Sequence, residues 1–121
     1  MDDFKIIVRL LAAIRASEEK AVFDISLIDE KNMRTTAQKR DNLALKLQKA
    51  GYVEGLVTSE DIDNAPLAVL WEYSKPSVTL EGLEYIHDNS AIRKAISELT
   101  NDALVAGGQM IGAIISTWAI K

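Results

Sequence analysis

The sequence contains no cysteine, one histidine and two prolines among its 121 residues. The lack of cysteine excludes a disulfide framework and a thiolate metal site, and it is compatible with an intracellular protein. The single histidine, His87, follows Ile86 on an expected helix, where a surface or packing role is favoured over general-base catalysis. The acidic start, MDDFK, differs from the basic start of a secretory signal, so we expect no such signal here.

Motifs that bind common ligands are missing as well. Gly107 and Gly108 are followed by QMIG, without the lysine and the serine or threonine that a phosphate-binding loop needs. Residues 61–64, DIDN, resemble the start of a calcium loop, but Ala65 and Pro66 follow where further ligands and a glycine are required. No catalytic triad can be assembled. We therefore expect a protein without enzyme activity, cofactor or bound metal.

The composition is that of one globular domain. Hydrophobic residues make up 48% of the chain and charged residues 26%, which disfavours disorder and a fibrous structure. A chain of this length is expected to form a single hydrophobic core, since two separate cores would each bury too little surface.

Hydrophobic spacing predicts a mainly helical protein with a small β-hairpin. Apolar residues recur at helical spacing from Phe4 to Ile14, and Asp2 or Asp3 can cap this first helix. Alternation in AVFDIS predicts a short strand or extended segment over 21–26. The predicted order is helix 3–17, strand 21–26, helix 27–33, helix 36–50, a hairpin formed by 52–57 and 67–79, a helix beginning near residue 80, and another after a break and cap at 89–90.

This order of elements is that of a winged helix-turn-helix domain of the α+β, mainly α class. Residues 36–50 take the position of the recognition helix, and 58–68 take the position of the wing. We predict a winged-helix domain over 1–89 and a C-terminal helical extension over 90–121 that docks or dimerises.

Three stretches of the sequence resemble the YjcQ family of small winged-helix proteins from Gram-positive bacteria, their phages and prophages. They are DDFKIIVRLLAAI at the start, LQKAGYVEGL after the third helix, and VTLEGLEYIHDNSAIRKA across the strand-to-helix junction. The resemblance covers roughly the first hundred residues. It implies the fold, a phage context and the cytoplasm of a bacterial host, and it implies no established biochemical activity.

The third predicted helix is strongly basic. Residues 31–50 contain six cations and one anion, Asp41, in a protein of net charge −4. Such a helix can neutralise phosphates in a DNA major groove, and an asparagine on it can pair with an adenine edge. We predict a DNA-binding accessory or regulator of phage genes that contacts double-stranded DNA through Arg34, Lys39, Arg40, Asn42, Lys46 and Lys49.

Two alternatives to DNA binding stay open. The lysines can simply keep an exposed helix soluble, and the predicted wing carries Glu60, Asp61 and Asp63, which repel a phosphate backbone. The second function considered is therefore a non-enzymatic protein-interaction module on the same scaffold, which binds a host or phage protein through the acidic hairpin or the apolar tail.

The tail at 103–120 carries no ionisable side chain. Its eighteen residues fall just short of the ~20 that span a bilayer, and Gln109, Ser116 and Thr117 dilute their hydrophobicity. We favour a helix that packs on its own domain or on a second copy over one that associates with a membrane. The predicted dimer contacts are Leu104, Gly108, Ile111, Ile115 and Trp118.

Overall fold

A computed structural model of the chain describes residues 2–59, 68–100 and 109–119. Over these residues the fold is mainly helical, with one small antiparallel sheet, which confirms the predicted balance of helix and strand. The helices are α1 (Asp3–Ser17), α2 (Glu30–Met33), α3 (Ala37–Lys49), α4 (Leu80–Asp88), α5 (Ser90–Thr100) and α6 (Gln109–Ala119), and the strands are β1 (Val53–Glu54) and β2 (Ser77–Val78). Two 3₁₀ helices, Ile25–Ile28 and Trp71–Tyr73, complete the described elements.

Helix α1 lies at the centre of the molecule. Asp2 begins it as the N-cap, because its carboxylate accepts a hydrogen bond of 2.9 Å from the backbone N–H of Phe4. The helix packs against α2, α3, α5, α6 and β2, so its apolar side chains are covered on several sides. Full burial of one large aliphatic side chain contributes about 1.5 to 3 kcal/mol before entropy costs. The fully buried side chains of α1 are Ile6, Val8, Leu10, Leu11, Ala12, Ala13 and Ile14.

Residues 21–26, predicted as a short strand or an extended segment, form no strand in this described part of the chain, although the backbone is extended at Asp24. A 3₁₀ helix begins at Ile25 instead, and Asp24 caps it by accepting a hydrogen bond of 3.1 Å from the backbone N–H of Ser26. Side-chain capping of this kind competes with strand formation. Of the apolar residues that suggested the alternation, Phe23 is buried and stacks on Trp71, with ring centroids 5.2 Å apart, whereas Ile25 is exposed.

The ends of α3 are those that the sequence predicts. Thr36 caps the helix by accepting a hydrogen bond of 3.2 Å from the backbone N–H of Lys39. After the helix Gly51 has a φ of +87°, the left-handed conformation that favours glycine. The preceding helix, predicted over 27–33, is divided at Asp29, which ends the first 3₁₀ helix and caps α2.

The hairpin is shorter and less regular than predicted. Strands β1 and β2 pair antiparallel with Val53 opposite Val78, and a separate bridge joins Thr58 to Val69. The 3₁₀ helix Trp71–Tyr73 interrupts the returning segment. Residues 60–67, which include most of the predicted wing with Glu60, Asp61 and Asp63, lie outside the described residues.

Helix α3 is tied to this hairpin by the side-chain amide of Gln48. Its Oε1 accepts a hydrogen bond of 2.8 Å from the backbone N–H of Leu56, and its Nε2 donates to the carbonyl oxygen of the same residue at 3.4 Å. A further close contact joins the hairpin region to α4, because the backbone of Gly82 approaches the carbonyl oxygen of Tyr52 so closely that a Cβ would lie 2.1 Å from it. Glycine is therefore required at this position.

Helices α5 and α6 complete the core around α1. Ile111 and Ile115 of α6 are fully buried among residues of α1 and α5. The predicted role of these two residues in a dimer interface is therefore corrected, because the chain itself already covers them. The C-terminal helices share one hydrophobic core with the segment before residue 90.

The remaining predicted dimer contacts differ in their positions. Trp118 is partly buried, and its backbone carbonyl accepts a hydrogen bond of 2.8 Å from the guanidinium of Arg93. Leu104 and Gly108 lie outside the described residues. In the described parts of the chain, every helix is too short or too polar to cross a membrane.

Candidate nucleic-acid interface

One face of α3 carries exposed polar side chains, and the other face enters the core. Leu43, Ala44 and Leu47 are buried against the rest of the chain. The exposed residues of this helix that the sequence assigned to DNA binding are Lys39, Asn42, Lys46 and Lys49, hereafter the basic face. Helical periodicity puts these four on one side of the helix, as predicted.

Among the described residues, Lys39 of the basic face forms an ion pair with Asp3. Its Nζ lies 2.8 Å from the Oδ1 of Asp3, in the first turn of α1, and about half of each side chain is exposed. The hydrogen bond from Lys39 lowers the pKa of the Asp3 carboxyl, and the positive charges of Lys39 and Lys46 add to this effect. The sequence predicts Asp2 or Asp3 as the cap of α1, and in the structure Asp2 has this role. The pairing of Asp3 with Lys39 was not predicted.

Arg40, also predicted to contact DNA, has a structural role instead. Its Nε donates to Asp41 at 2.9 Å, one terminal nitrogen donates to the carbonyl of Ile28 at 2.8 Å, and the guanidinium lies 5.6 Å from the ring centroid of Trp71. Only 13% of the side chain is exposed. Its prediction as a DNA contact is therefore corrected, because these groups hold the guanidinium inside the fold.

Asp41 is an acceptor at the centre of a buried polar cluster that sequence reasoning missed. Besides Arg40, it accepts hydrogen bonds from the indole Nε1 of Trp71 at 2.9 Å and from the backbone N–H of Val69 at 3.2 Å. The cluster fastens α3 to the returning half of the hairpin. The sequence did contain one indication of this role, because Asp41 is the single acidic residue in an otherwise basic, amphipathic helix.

Arg34 lies at the junction between α2 and α3. It is exposed and ends α2 in the left-handed conformation, with a φ of 57°. Arg9 of α1 is buried nearby; burial lowers the pKa of its guanidinium, and the charge of Arg34 lowers it further. Arg34 therefore adds a positive charge at the junction that precedes α3.

The structure therefore brings Lys39, Asn42, Lys46 and Lys49 together on one solvent-facing surface, with Arg34 close to the start of the same helix and Arg40 turned away from it. Carboxylates and imidazoles do not gather in this surface, and the described residues contain no group of three or more His, Asp or Glu that could hold a metal ion. The chemistry that this surface offers is the binding of anions and the donation of hydrogen bonds.

The fold and this surface define a small, mainly helical protein whose third helix presents lysines to solvent beside a short β-ribbon. The model of the YjcQ protein family matches residues 4–101, and the chain belongs to this family. The match extends from α1 through α5, and α6 lies beyond it. Searches of curated proteins and of solved structures found no match.

Proposed function

We propose that this protein is a winged-helix protein that binds double-stranded DNA without catalysing a reaction, as an accessory factor or regulator of phage or prophage genes. The observation that supports DNA binding is the basic face of α3, exposed on a helix whose opposite side is buried. The succession of α1, α2, α3, ribbon and α4 supports the winged-helix part of the proposal, although the described residues between α1 and α2 form no strand. The phage context rests on the resemblance to the YjcQ family.

The dimensions of α3 suit a major groove. Its 13 residues give a length of about 20 Å, and a major groove about 12 Å wide admits an α-helix. Lysines along the helix would neutralise phosphates at the groove edges, while Asn42 would reach a base edge. Helix α6 packs on α1 and α5 and leaves the basic face open to solvent.

An alternative to DNA binding is that the same lysines only stabilise the helix. Lys46 and Lys49 lie in the last turn of α3, where a positive charge interacts favourably with the helix dipole. This role and DNA binding make different predictions, since only the second gives affinity for a duplex that falls as salt concentration rises.

The test compares two charge-reversal variants in a titration of a fluorescent, random-sequence DNA duplex. K46E/K49E changes the basic face, and K20E/K94E changes two exposed lysines outside α3. Each variant lowers the net charge from −4 to −8, because two lysines become glutamates. Fluorescence anisotropy between about 50 and 200 mM salt then measures the affinity and its salt dependence.

We expect the wild-type protein to bind with an affinity that falls steeply with salt. K46E/K49E should bind about tenfold more weakly or worse, and its plot of log K against log salt should be shallower by about 2, one for each lost phosphate contact. K20E/K94E should weaken binding less and keep the slope. Wild-type protein that binds no duplex even at low salt contradicts the proposal.

The exposed apolar side chains beside the hairpin favour the second candidate function, a protein-interaction module. Tyr73 is 74% exposed and Val57 is 42% exposed. Both belong to one part of the hairpin, because the N–H of Val57 donates to the hydroxyl of Ser74. If the protein has this function, a defined host or phage protein should bind the wild type and K46E/K49E but should not bind Y73S. Equal binding by all three proteins contradicts a role for this surface.

We also propose a dimer, as predicted, in which each copy contacts one of two neighbouring half-sites on the DNA. Its interface must differ from the predicted one. Ile111 and Ile115 are covered within one chain, so two copies would have to meet through other surfaces. Light scattering of the free protein and of its DNA complex measures the number of copies. One copy per half-site with no contact between copies contradicts the dimer and leaves DNA binding unaffected.

A further inference from the structure

Two neighbouring aspartates at the start of α1 have different partners. Asp2 caps the helix through the backbone N–H of Phe4. Asp3 is not needed as a cap, and its carboxylate points to α3, where it pairs with Lys39 at 2.8 Å. An exposed ion pair of this kind contributes little to folding stability. Asp3 also lies in the first turn of α1, where a negative charge interacts favourably with the helix dipole, and this interaction does not require the carboxylate to point to α3.

The carboxylate of Asp3 lies in a groove between the start of α1 and the exposed side of α3. This groove, hereafter the Asp3 groove, has a volume of about 310 Å³ and is open to solvent. Two cations face one anion in it, and the remaining polar side chains carry hydroxyl or amide groups. The lining residues are Asp3, Thr36, Gln38, Lys39, Asn42, Leu43 and Lys46.

A carboxylate and a phosphodiester offer the same contact to a lysine. Each presents a negatively charged oxygen that accepts a short hydrogen bond from the ammonium group. The volume of the groove is sufficient for one phosphate group, and three of its lining residues belong to the basic face. A phosphate that approached α3 along this side would meet Lys39 and Lys46, and it would be repelled by Asp3 while that carboxylate stays in place.

We propose that the Asp3 groove is a binding site for one backbone phosphate of DNA, and that Asp3 occupies the place of this phosphate in the free protein. The inference rests on the proposed DNA binding and specifies one contact within it. When DNA binds, the phosphate replaces the carboxylate on Lys39, and Asp3 turns to solvent. Asp3 thus acts as an intramolecular competitor that lowers the affinity for DNA.

The test uses two variants that each remove one negative charge at the start of α1. D2N retains the helix cap, because asparagine caps helices about as well as aspartate. D3N removes the competitor and frees Lys39. Each variant removes one negative charge from the start of α1, so both change the net charge of the protein equally. The difference between their affinities for DNA therefore reports the direct contact of Asp3 with Lys39.

We expect D3N to bind a random-sequence duplex about two- to fivefold more tightly than D2N at low salt, a gain in keeping with one exposed charge contact. In the background of K39M this difference should vanish, as a double-mutant cycle requires for a direct interaction. The thermal midpoints of D2N and D3N are measured alongside, so that a change in stability is not mistaken for a change in affinity.

A second measurement examines the ion pair without DNA. The carboxyl carbon of Asp3 is followed by NMR as a function of pH in the wild type and in K39M. Because Lys39 lowers the pKa of Asp3, K39M should raise that pKa toward the ordinary value of an aspartate. An unchanged pKa means that the pair does not form in solution, and it overturns the inference whatever the DNA titrations give.

The outcomes separate this inference from the proposed function. Equal affinities of D2N and D3N, with wild-type protein that binds DNA, overturn the role of Asp3 and leave DNA binding standing. Failure of the wild type and of both variants to bind any duplex overturns the proposed function and this inference together.

Discussion

Asp41 shows how one side chain joins the helix that carries the basic face to the hairpin beside it. Its carboxylate accepts hydrogen bonds from the indole of Trp71, the backbone of Val69 and the guanidinium of Arg40. These donors come from two segments that are nearly thirty residues apart in sequence. The orientation of α3 is thus fixed by a residue that cannot itself reach a ligand, since only 10% of its side chain is exposed.

Replacement of Asp41 by alanine should destabilise the fold by about 2 to 4 kcal/mol. The change leaves the buried N–H groups of Val69 and Trp71 without an acceptor, and each such group costs about 1 to 3 kcal/mol. Urea denaturation followed by circular dichroism measures the free energy of unfolding. D88A at an exposed position is the matched control and should stay within about 0.5 kcal/mol of wild type. Equal losses in both variants contradict the bridging role of Asp41.

The difference between Lys39 and Arg40 could not be predicted from the sequence. They are adjacent cations on one helix, and each was assigned to DNA. The structure separates them because the guanidinium of Arg40 finds a carbonyl, a carboxylate and an indole ring contributed by distant segments, whereas Lys39 faces solvent. Local sequence patterns contain no information about such tertiary partners.

At the scale of the element, helix ends were predictable and the early strand was not. The cap of α3 by Thr36 and the left-handed Gly51 after it are encoded within a few residues, so the sequence is sufficient to locate them. A strand requires a partner, and AVFDIS has none in the described residues. There the local cap at Asp24 decides the structure.

On the proposed binding to DNA, two exposed amides in the first half of α3 predict a base preference. Gln38 and Asn42 are one helical turn apart, both are exposed, and neither side-chain amide has a hydrogen-bond partner among the described residues. Such amides form two hydrogen bonds with adenine in the major groove. Selection from a random DNA library should therefore yield sites with fixed A·T pairs, and Q38A/N42A should lose this preference.

The lysines are unchanged in Q38A/N42A, so its affinity for random duplex and its salt dependence should remain close to those of wild type. Retention of the same selected sites by Q38A/N42A would show that other residues, or the shape of the DNA, supply the preference. Loss of all binding would instead indicate damage to α3, which circular dichroism detects.

Helix α6 should be required for stability although it lies beyond the family match. Ile115 is fully buried against the central helices, and Ile-to-Ala changes at such positions cost about 2 to 5 kcal/mol. S116A, at the exposed neighbouring position, serves as the control. Thermal denaturation of both variants provides the comparison. An I115A variant as stable as S116A would contradict the packing of α6 on its own chain.

At the scale of the whole molecule, the single core predicts a single unfolding transition. The sequence predicts a C-terminal helical extension over 90–121 that docks or dimerises, and in the structure α5 and α6 pack on α1 and share its buried cluster. Trp71 lies in the returning segment of the hairpin and Trp118 lies in α6, so the two tryptophans of the sequence report on different elements of the fold. W118F retains Trp71 as its single tryptophan, and W71F retains Trp118.

In each tryptophan variant, the midpoint from fluorescence should equal the midpoint from circular dichroism, as two-state unfolding requires. The comparison is made within one variant because W71F also removes a hydrogen-bond donor to Asp41 and lowers stability. If Trp118 in W71F reports an earlier midpoint than circular dichroism does, α6 detaches before the rest of the fold.

The bond between Gln48 and Leu56 has a consequence for how the protein behaves at high concentration. A two-stranded ribbon has open edges, and a free edge can pair with a strand of another molecule and start an aggregate. At Leu56 a side-chain amide already takes both main-chain groups, in the manner of an adjacent strand. An incoming chain therefore finds the N–H of Leu56 already bonded, and α3, the helix that offers lysines to solvent, also covers the chain at this point just after β1.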